Sequence, residues 1–348
     1  MNLRVGIITD QYPSIRNPSR GTFVRDLVGH LRLAKVDVAV IDHRKNFLAM
    51  SMECLIRSGQ LDIFDAQFVA PAGVIAALTP RAAGFVITVH RWDILEFPYR
   101  WPMARIATLL ALRSAQGIIA VGSTIMSEVR KFVPPAARLV TIPNAVDIQR
   151  FRPDVEFGLT KQRLGIPETH RVVLSVGHLI PRKGFQYLIP AVSRILRQFE
   201  SCSLVIVGEG HLRDELEALG HKLLGDRLKL VGAVDEPSLP SFYAMADVFV
   251  LPSLSEGHCV SILEAMSAAK PIVASAIPAN AESVVHGKNG FLVDPRDTSS
   301  LANVILRLLR NDELREEFGR NSREKAISEF GWELRIRRLK EFYESVIY

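Results

Sequence analysis

The sequence predicts an α/β protein made of two similar domains, each a parallel sheet with crossover helices. Three observations carry that expectation. The chain has 348 residues, more than one hydrophobic core usually supports, so two domains of roughly 150 to 200 residues are expected. Short apolar, β-branched runs alternate with helix-like segments along its length. The runs form two series, and several end in Gly, His or Asn at the strand ends where open α/β sheets bind ligands.

Taken in order, the first series is Leu3–Thr9, Val36–Asp42, Phe64–Ala70, Gly84–His90, Gln116–Gly122 and Arg138–Asn144. Leu3–Thr9 carries Arg4 and is too short for a membrane span; with no signal-peptide cleavage pattern it reads as a buried first strand. The second series is Arg171–Gly177, Ser203–Gly208, Arg227–Gly232, Asp247–Pro252, Pro271–Ala276 and Gly290–Val293. Between the two, Pro143, Pro153 and Pro167 punctuate a polar stretch, which places a hinged boundary there, with domains at 1–155 and 156–330. Past Asp297 the pattern is helical, in the segments Ser299–Arg310, Asp312–Glu329 and Trp332–Tyr348. No repeat of twenty to fifty residues and no low-complexity tract occurs.

Composition narrows the class. With 48% hydrophobic and 23% charged residues the chain has the material for buried cores, unlike a disordered chain. Cys54, Cys202 and Cys259 form no close pair, which argues against a disulfide scaffold or a Cys-x-x-Cys metal site and favours a reducing compartment. No run reaches the ~18 uncharged apolar residues of a spanning helix. The formal charge of +6 is uneven: residues 1–150 hold eighteen Lys/Arg against eleven Asp/Glu. A basic first half suits an anionic membrane, a phosphorylated carrier or nucleic acid, or is simply a solubilising surface.

The most informative stretch runs from Leu251 to Ser275. It places Glu256 just after a strand, then the turn glycine Gly257, a helix beginning near His258, and Glu264 with seven residues between the glutamates. Backbone N–H groups of His258, Cys259 and Val260 at that helix start form an anion site suited to a diphosphate. Glu256 and Glu264 would bracket the anion and accept hydrogen bonds from sugar hydroxyls. Two glutamates at this spacing, taken alone, describe an acidic surface helix equally well.

The whole segment, however, resembles the retaining glycosyltransferases of family 4, whose motif is Glu-Gly-Phe-Gly followed by Leu-Glu-Ala-Met. The neighbouring Pro252-Ser253 and Lys270-Pro-Ile-Val-Ala-Ser275 are similar as well. The resemblance implies the GT-B fold: two Rossmann-like domains facing across a cleft, with a last helix, 331–348, crossing back to the first domain. It implies that Glu264 holds the nucleotide ribose and that Glu256 contacts the donor sugar. Gly177-His178-Leu-Ile-Pro-Arg182-Lys183-Gly184 resembles the family's Gly-Arg-Leu and Pro-x-Lys-Gly, so Lys183 is expected to neutralise the leaving diphosphate. Thr88-Val-His90-Arg-Trp-Asp93 resembles the family's His-Gly-x-Asp, which puts His90 near the donor sugar's primary hydroxyl. Gly208 and Gly210 match a turn that passes close to the base. Gly21, after Asn17–Arg20, stands where a glycine admits phosphate or acceptor, or is a plain turn glycine. Ile142-Pro-Asn144-Ala-Val-Asp147, His286–Val293 and Phe330-Gly-Trp332-Glu are further matches, so the likeness covers nearly the whole chain.

Departures from the pattern are equally specific. His178 replaces the arginine partner of the family lysine, trading a fixed cationic fork for a group only partly charged at neutral pH. Arg182 is the candidate to compensate. His258-Cys259 replaces Phe-Gly, and Pro278-Ala279 replaces a glycine pair; both narrow the donor-sugar pocket. The short segment between the second and third strands predicts a smaller or more open acceptor cleft.

Membership implies transfer from a nucleotide-sugar to a polysaccharide, glycolipid or lipid-linked acceptor, with retention and without a metal. No Mg²⁺-binding Asp-x-Asp or zinc spacing occurs. Other readings of the same residues are a non-catalytic sugar-nucleotide-binding protein, a sugar phosphorylase or a nucleotide-sugar epimerase. Glu96–Arg113 interleaves aromatics and arginines, as an interfacial anchor or an ordinary crossover helix would. A cytoplasmic protein at the inner face of the membrane is expected, and nucleic acid is not among its expected partners.

Overall fold

The computed structural model describes residues 3–13, 21–42, 46–80 and 83–348, so Asn17–Arg20 lie outside the described residues. The chain divides into two compact units, one formed by Met1–Asn144 with Trp332–Tyr348, the other by Ala145–Gly331.

The first unit is a six-stranded parallel sheet of β1 (Arg4–Ile8), β2 (Asp37–Ile41), β3 (Ile63–Gln67), β4 (Gly84–Val89), β5 (Gly117–Ala120) and β6 (Leu139–Thr141), in the order β2-β1-β3-β4-β5-β6. Its central strands are buried on both faces, as parallel sheets require; β4 and β5 are correspondingly near-continuous apolar runs, while β3 carries the buried polar Asp65 and Gln67. One face carries a core that includes Phe64, Phe85, Ile118 and Phe132, and the other a core of Val5, Ile7, Leu27 and Leu31. The helix Trp332–Ile347 completes the second of these cores with Ile336, Leu339, Phe342 and Tyr343. At Gly117 an added Cβ would lie 2.8 Å from both Phe342 and Val346, so the helix rests directly on β5.

The second unit is a parallel sheet of β7 (Arg171–Val176), β8 (Cys202–Val207), β9 (Leu228–Gly232), β10 (Val248–Leu251), β11 (Ile272–Ser275) and β12 (Gly290–Val293). The order β12-β11-β10-β7-β8-β9 is that of a Rossmann sheet. Residues 145–155 pack with this unit: Val146 donates its N–H to the Phe330 carbonyl, and Phe151 meets Tyr243 edge to face at 5.4 Å. The helices Thr298–Arg310 and Asp312–Phe330 follow β12. All twelve expected strands are present; β12 has the expected bounds, the others are trimmed at one or both ends, and β3 and β8 begin one residue earlier than expected.

In a doubly wound sheet, ligands bind at the carboxyl ends of the two strands where the chain reverses its direction of winding. That point lies between β1 and β3 in the first unit and between β7 and β10 in the second. The motifs around Gly21, His90, Lys183 and Glu256 follow these strands or the neighbouring β4, and Gly208 and Gly210 follow β8, beside β7.

Candidate active site

In the second unit, β7 runs into the turn Pro181–Lys183, which leads to the helix Phe185–Leu196; β10 runs into Pro252–Glu256. Because β7 and β10 are adjacent, two loops distant in sequence meet. Lys183 Nζ donates to Glu256 Oε1 at 2.7 Å, and Arg182 Nη1 donates to Glu256 Oε2 at 3.0 Å. Arg182 also donates to the Ser255 carbonyl at 2.7 Å, and its own carbonyl accepts from Leu254 N–H at 2.7 Å. The loops close this tightly because Gly184 has φ +75°, and a Cβ there would stand 2.0 Å from the Pro252 carbonyl oxygen. Gly177 leaves room for the Lys183 stem, whose Cε lies 3.3 Å from where a Cβ would sit.

Lys183 and Glu256 are both buried. Burial works against the Glu256 carboxylate, but Lys183 and Arg182 outweigh it and hold the pKa below its usual value. Burial likewise opposes the Lys183 ammonium; Cys259 and Glu256 beside it overcome that and hold its pKa above the usual value. Burial pushes the Cys259 thiol upward, and its Sγ lies 3.9 Å from Lys183 Nζ. Two cations therefore converge on one carboxylate at the switch point. Glu264 lies on the helix Val260–Ser267, where the buried Tyr243 hydroxyl donates to its Oε2.

In the first unit, β4 ends at His90, which is nearly buried between the rings of Phe23 and Phe68, with centroids at 4.9 and 4.5 Å. Asp93 is fully buried and accepts from the backbone N–H of Val69 at 3.0 Å and of His90 at 3.2 Å, tying the loops after β3 and β4 together. Burial pushes the Asp93 carboxyl up to about 6. Burial, then the charge of Arg335, pull the His90 imidazole down to about 3, so it is neutral at physiological pH.

Residues 157–325 match the family described as glycosyl transferases group 1, and residues 32–150 match glycosyltransferase family 4. A GDP-mannose-dependent alpha-(1-6)-phosphatidylinositol monomannoside mannosyltransferase of Mycobacterium tuberculosis is 31% identical over 290 residues, spanning 78% of this chain and 73% of the relative. The chain belongs to the family 4 glycosyltransferases. Among solved structures, sucrose-phosphate synthase of Thermosynechococcus elongatus superposes with a TM-score of 0.83 at 22% identity, covering 99% of both chains. HepE of Anabaena in complex with UDP and glucose gives 0.82 at 22% identity over 99% of this chain and 100% of that one. These likenesses show the two-domain GT-B fold.

The glycosyltransferase places its other predicted residues as follows. His178 is exposed, while Arg182, next to Lys183 in the chain, reaches Glu256. Gly208 and Gly210 are used by the protein itself: a Cβ on either would stand 1.9 Å from the Gly177 carbonyl oxygen or 2.3 Å from that of Leu179. Gly21 has φ +67° and lies against the Gln11 carbonyl, 1.9 Å from where a Cβ would be, so the room at this turn is filled by backbone. The helix expected near His258 starts at Val260, with Cys259 capping it and Gly257 buried in the preceding turn. The His258 ring turns into the unit, against Phe330 at 5.4 Å, with Nε2 3.3 Å from the Ser283 hydroxyl.

Four buried polar residues next to the predicted ones went unnoticed in the sequence: Asp65, Gln67, Tyr243 and Tyr343. Asp65 and Gln67 carried a usable signal, as the two polar side chains on the otherwise apolar strand β3. Tyr243 and Tyr343 look in sequence like ordinary core aromatics. No group of three or more His, Cys, Asp or Glu side chains among the described residues is placed to hold a metal ion.

Proposed function

We propose that this glycosyltransferase transfers a sugar from a nucleoside diphosphate donor to a lipid-linked or glycan acceptor with retention at the anomeric carbon. The observation that carries the reading is the convergence of Lys183 and Arg182 on Glu256 at the β7/β10 switch point. A diphosphate arriving there finds two cations already in place, next to the helix start at Val260. Lys183 and Arg182 then share their charge between Glu256 and the departing phosphate, which favours the transition state more than the ground state as negative charge grows. Glu256 keeps lone pairs for hydroxyls of the donor sugar, and Glu264, oriented by Tyr243, accepts from the ribose. The acceptor hydroxyl attacks the face from which the diphosphate leaves, and its proton passes to the departing phosphate oxygen. With this charge supplied by side chains and backbone, no metal is required, and chelator should leave turnover unchanged.

Thermal shift against UDP-, GDP- and ADP-sugars tests the donor site. A ligand at a hundred times its dissociation constant stabilises by about 2.7 kcal/mol. One base should shift the wild type and fail to shift Glu264→Ala; no shift with any of them would sink the reading. Product NMR then reports retention or inversion directly.

The acceptor is expected at an anionic membrane. No helix among the described residues is long and apolar enough to cross a membrane. Support comes from exposed Phe47, Leu48, Met52, Leu55 and Ile56 on the helix Phe47–Arg57, and from Met103 and Ile106 on the helix Pro102–Ser114. Nearby, the Arg100 guanidinium lies 6.0 and 5.7 Å from the Trp92 and Trp101 rings. Such apolar faces with basic flanks suit the interface of an anionic bilayer. Replacing Leu48, Ile56 and Ile106 by Ser should abolish sedimentation with anionic vesicles; equal sedimentation of variant and wild type would remove the membrane from the reading.

A further inference from the structure

His90 is not held by its backbone alone. Its Nε2 lies 3.1 Å from Gln67 Oε1, and Gln67 is fully buried. The Gln67 amide is itself fixed, because its Nε2 donates to Asp65 Oδ2 at 2.8 Å. Asp65 accepts two more hydrogen bonds, from the Thr88 hydroxyl on Oδ1 at 2.8 Å and from the Tyr343 hydroxyl on Oδ2 at 2.6 Å. Turning the Gln67 amide over would set its carbonyl oxygen against the Asp65 carboxylate and its NH₂ against the imidazole. In a site this dry, such a mismatch is expensive. The amide therefore presents its carbonyl to His90, and a carbonyl demands a hydrogen.

We propose that Asp65, acting through Gln67, is a positioning residue that fixes the His90 proton on Nε2, so that Nδ1 carries the lone pair and accepts a hydrogen bond from a hydroxyl of the donor sugar. This rests on the reading of His90 as the group that meets that sugar. The neutral state of the ring supports it, since an imidazole kept neutral by burial carries one proton and the nitrogen beside Gln67 takes it. Selection follows: a donor with a hydroxyl at that place is favoured over its deoxy counterpart, because only the hydroxyl can donate to Nδ1.

Imidazole nitrogen NMR of the full-length protein labelled at histidine, above pH 7 and assigned by difference from His90→Gln, reads the tautomer. The Nε2–H form is expected; an Nδ1–H form or a protonated ring overturns the proposal. Gln67→Met keeps the volume and removes the carbonyl. With UDP-glucose or GDP-mannose, whichever is turned over, this variant should lose roughly five- to tenfold in kcat/KM, the scale of one hydrogen bond. With the 6-deoxy counterpart of that donor it should match the wild type. Equal losses on both donors would make Gln67 merely structural and end the proposal. If His90→Ala changes neither donor, the reading of His90 itself fails, and the unchanged NMR tautomer separates that outcome from failure of the relay.

Discussion

His90 shows how one side chain's surroundings set its chemistry. Burial and Arg335 pull its pKa from 6.5 to about 3 in the native protein, whereas the unfolded chain titrates near 6.5. As pH falls through 6.5 the unfolded chain binds the proton first, so the stability His90 contributes is complete above about 6.5 and is lost as pH falls toward about 3. The slope is at most about 1.4 kcal/mol per pH unit. Asp65 and Asp93, raised by burial from 3.8 to about 6, act with the opposite sign: the native form binds their protons first, and stability gained below about 6 is lost as pH rises through it. The wild-type profile mixes these effects. The difference between wild type and His90→Gln isolates the histidine: in urea melts the variant's relative stability should rise steadily between pH 6.5 and 4. A difference independent of pH would mean that His90 titrates normally and is accessible to water.

At the scale of elements, the strands were legible in sequence and their partners were not. Runs such as Val172-Val-Leu-Ser-Val176 and Val248-Phe-Val-Leu251 announce buried parallel strands by composition. Nothing in either run says that β7 and β10 are neighbours, and it is that adjacency which joins Lys183 to Glu256 across 73 positions. For the same reason the sequence could name Arg182 as the substitute for the arginine missing at His178 but not aim its side chain. The Asp65 network was less legible still, since one of its donors, Tyr343, lies 278 positions away. The loop pair itself depends on Gly184. Gly184→Ala forces an L-residue into the left-handed region, about 1–2 kcal/mol, and drives its Cβ against the Pro252 carbonyl. The loops after β7 and β10 should separate and break the Lys183–Glu256 pair. Donor affinity should fall together with the melting temperature, while an alanine at Gly29, in the helix Thr22–Leu33 with open space around it, leaves donor affinity unchanged and does not lower the melting temperature.

At the scale of the molecule, the chain leaves its second unit at Gly331 and spends its last helix on the first. The first unit therefore lacks part of its core until Trp332–Tyr348 have been made. Ile336, Leu339, Phe342 and Tyr343 are buried there, and Tyr343 supplies one of the three hydrogen bonds on a fully buried Asp65. Each apolar side chain of this size contributes about 1.5–3 kcal/mol on burial. Against the ~5–15 kcal/mol that stabilises a typical domain, losing four of them together is decisive. Ending the chain at Gly331 should leave the second unit, whose sheet and cores use only residues 145–331, folded and protease-resistant. Residues 1–144 should become sensitive to protease and bind hydrophobic dyes. Adding a Trp332–Tyr348 peptide back should restore protection, and a peptide with Tyr343→Phe should restore less, because Asp65 then loses a donor it cannot replace from water. Unchanged protection of residues 1–144 after truncation would show that the first unit completes its core without the last helix.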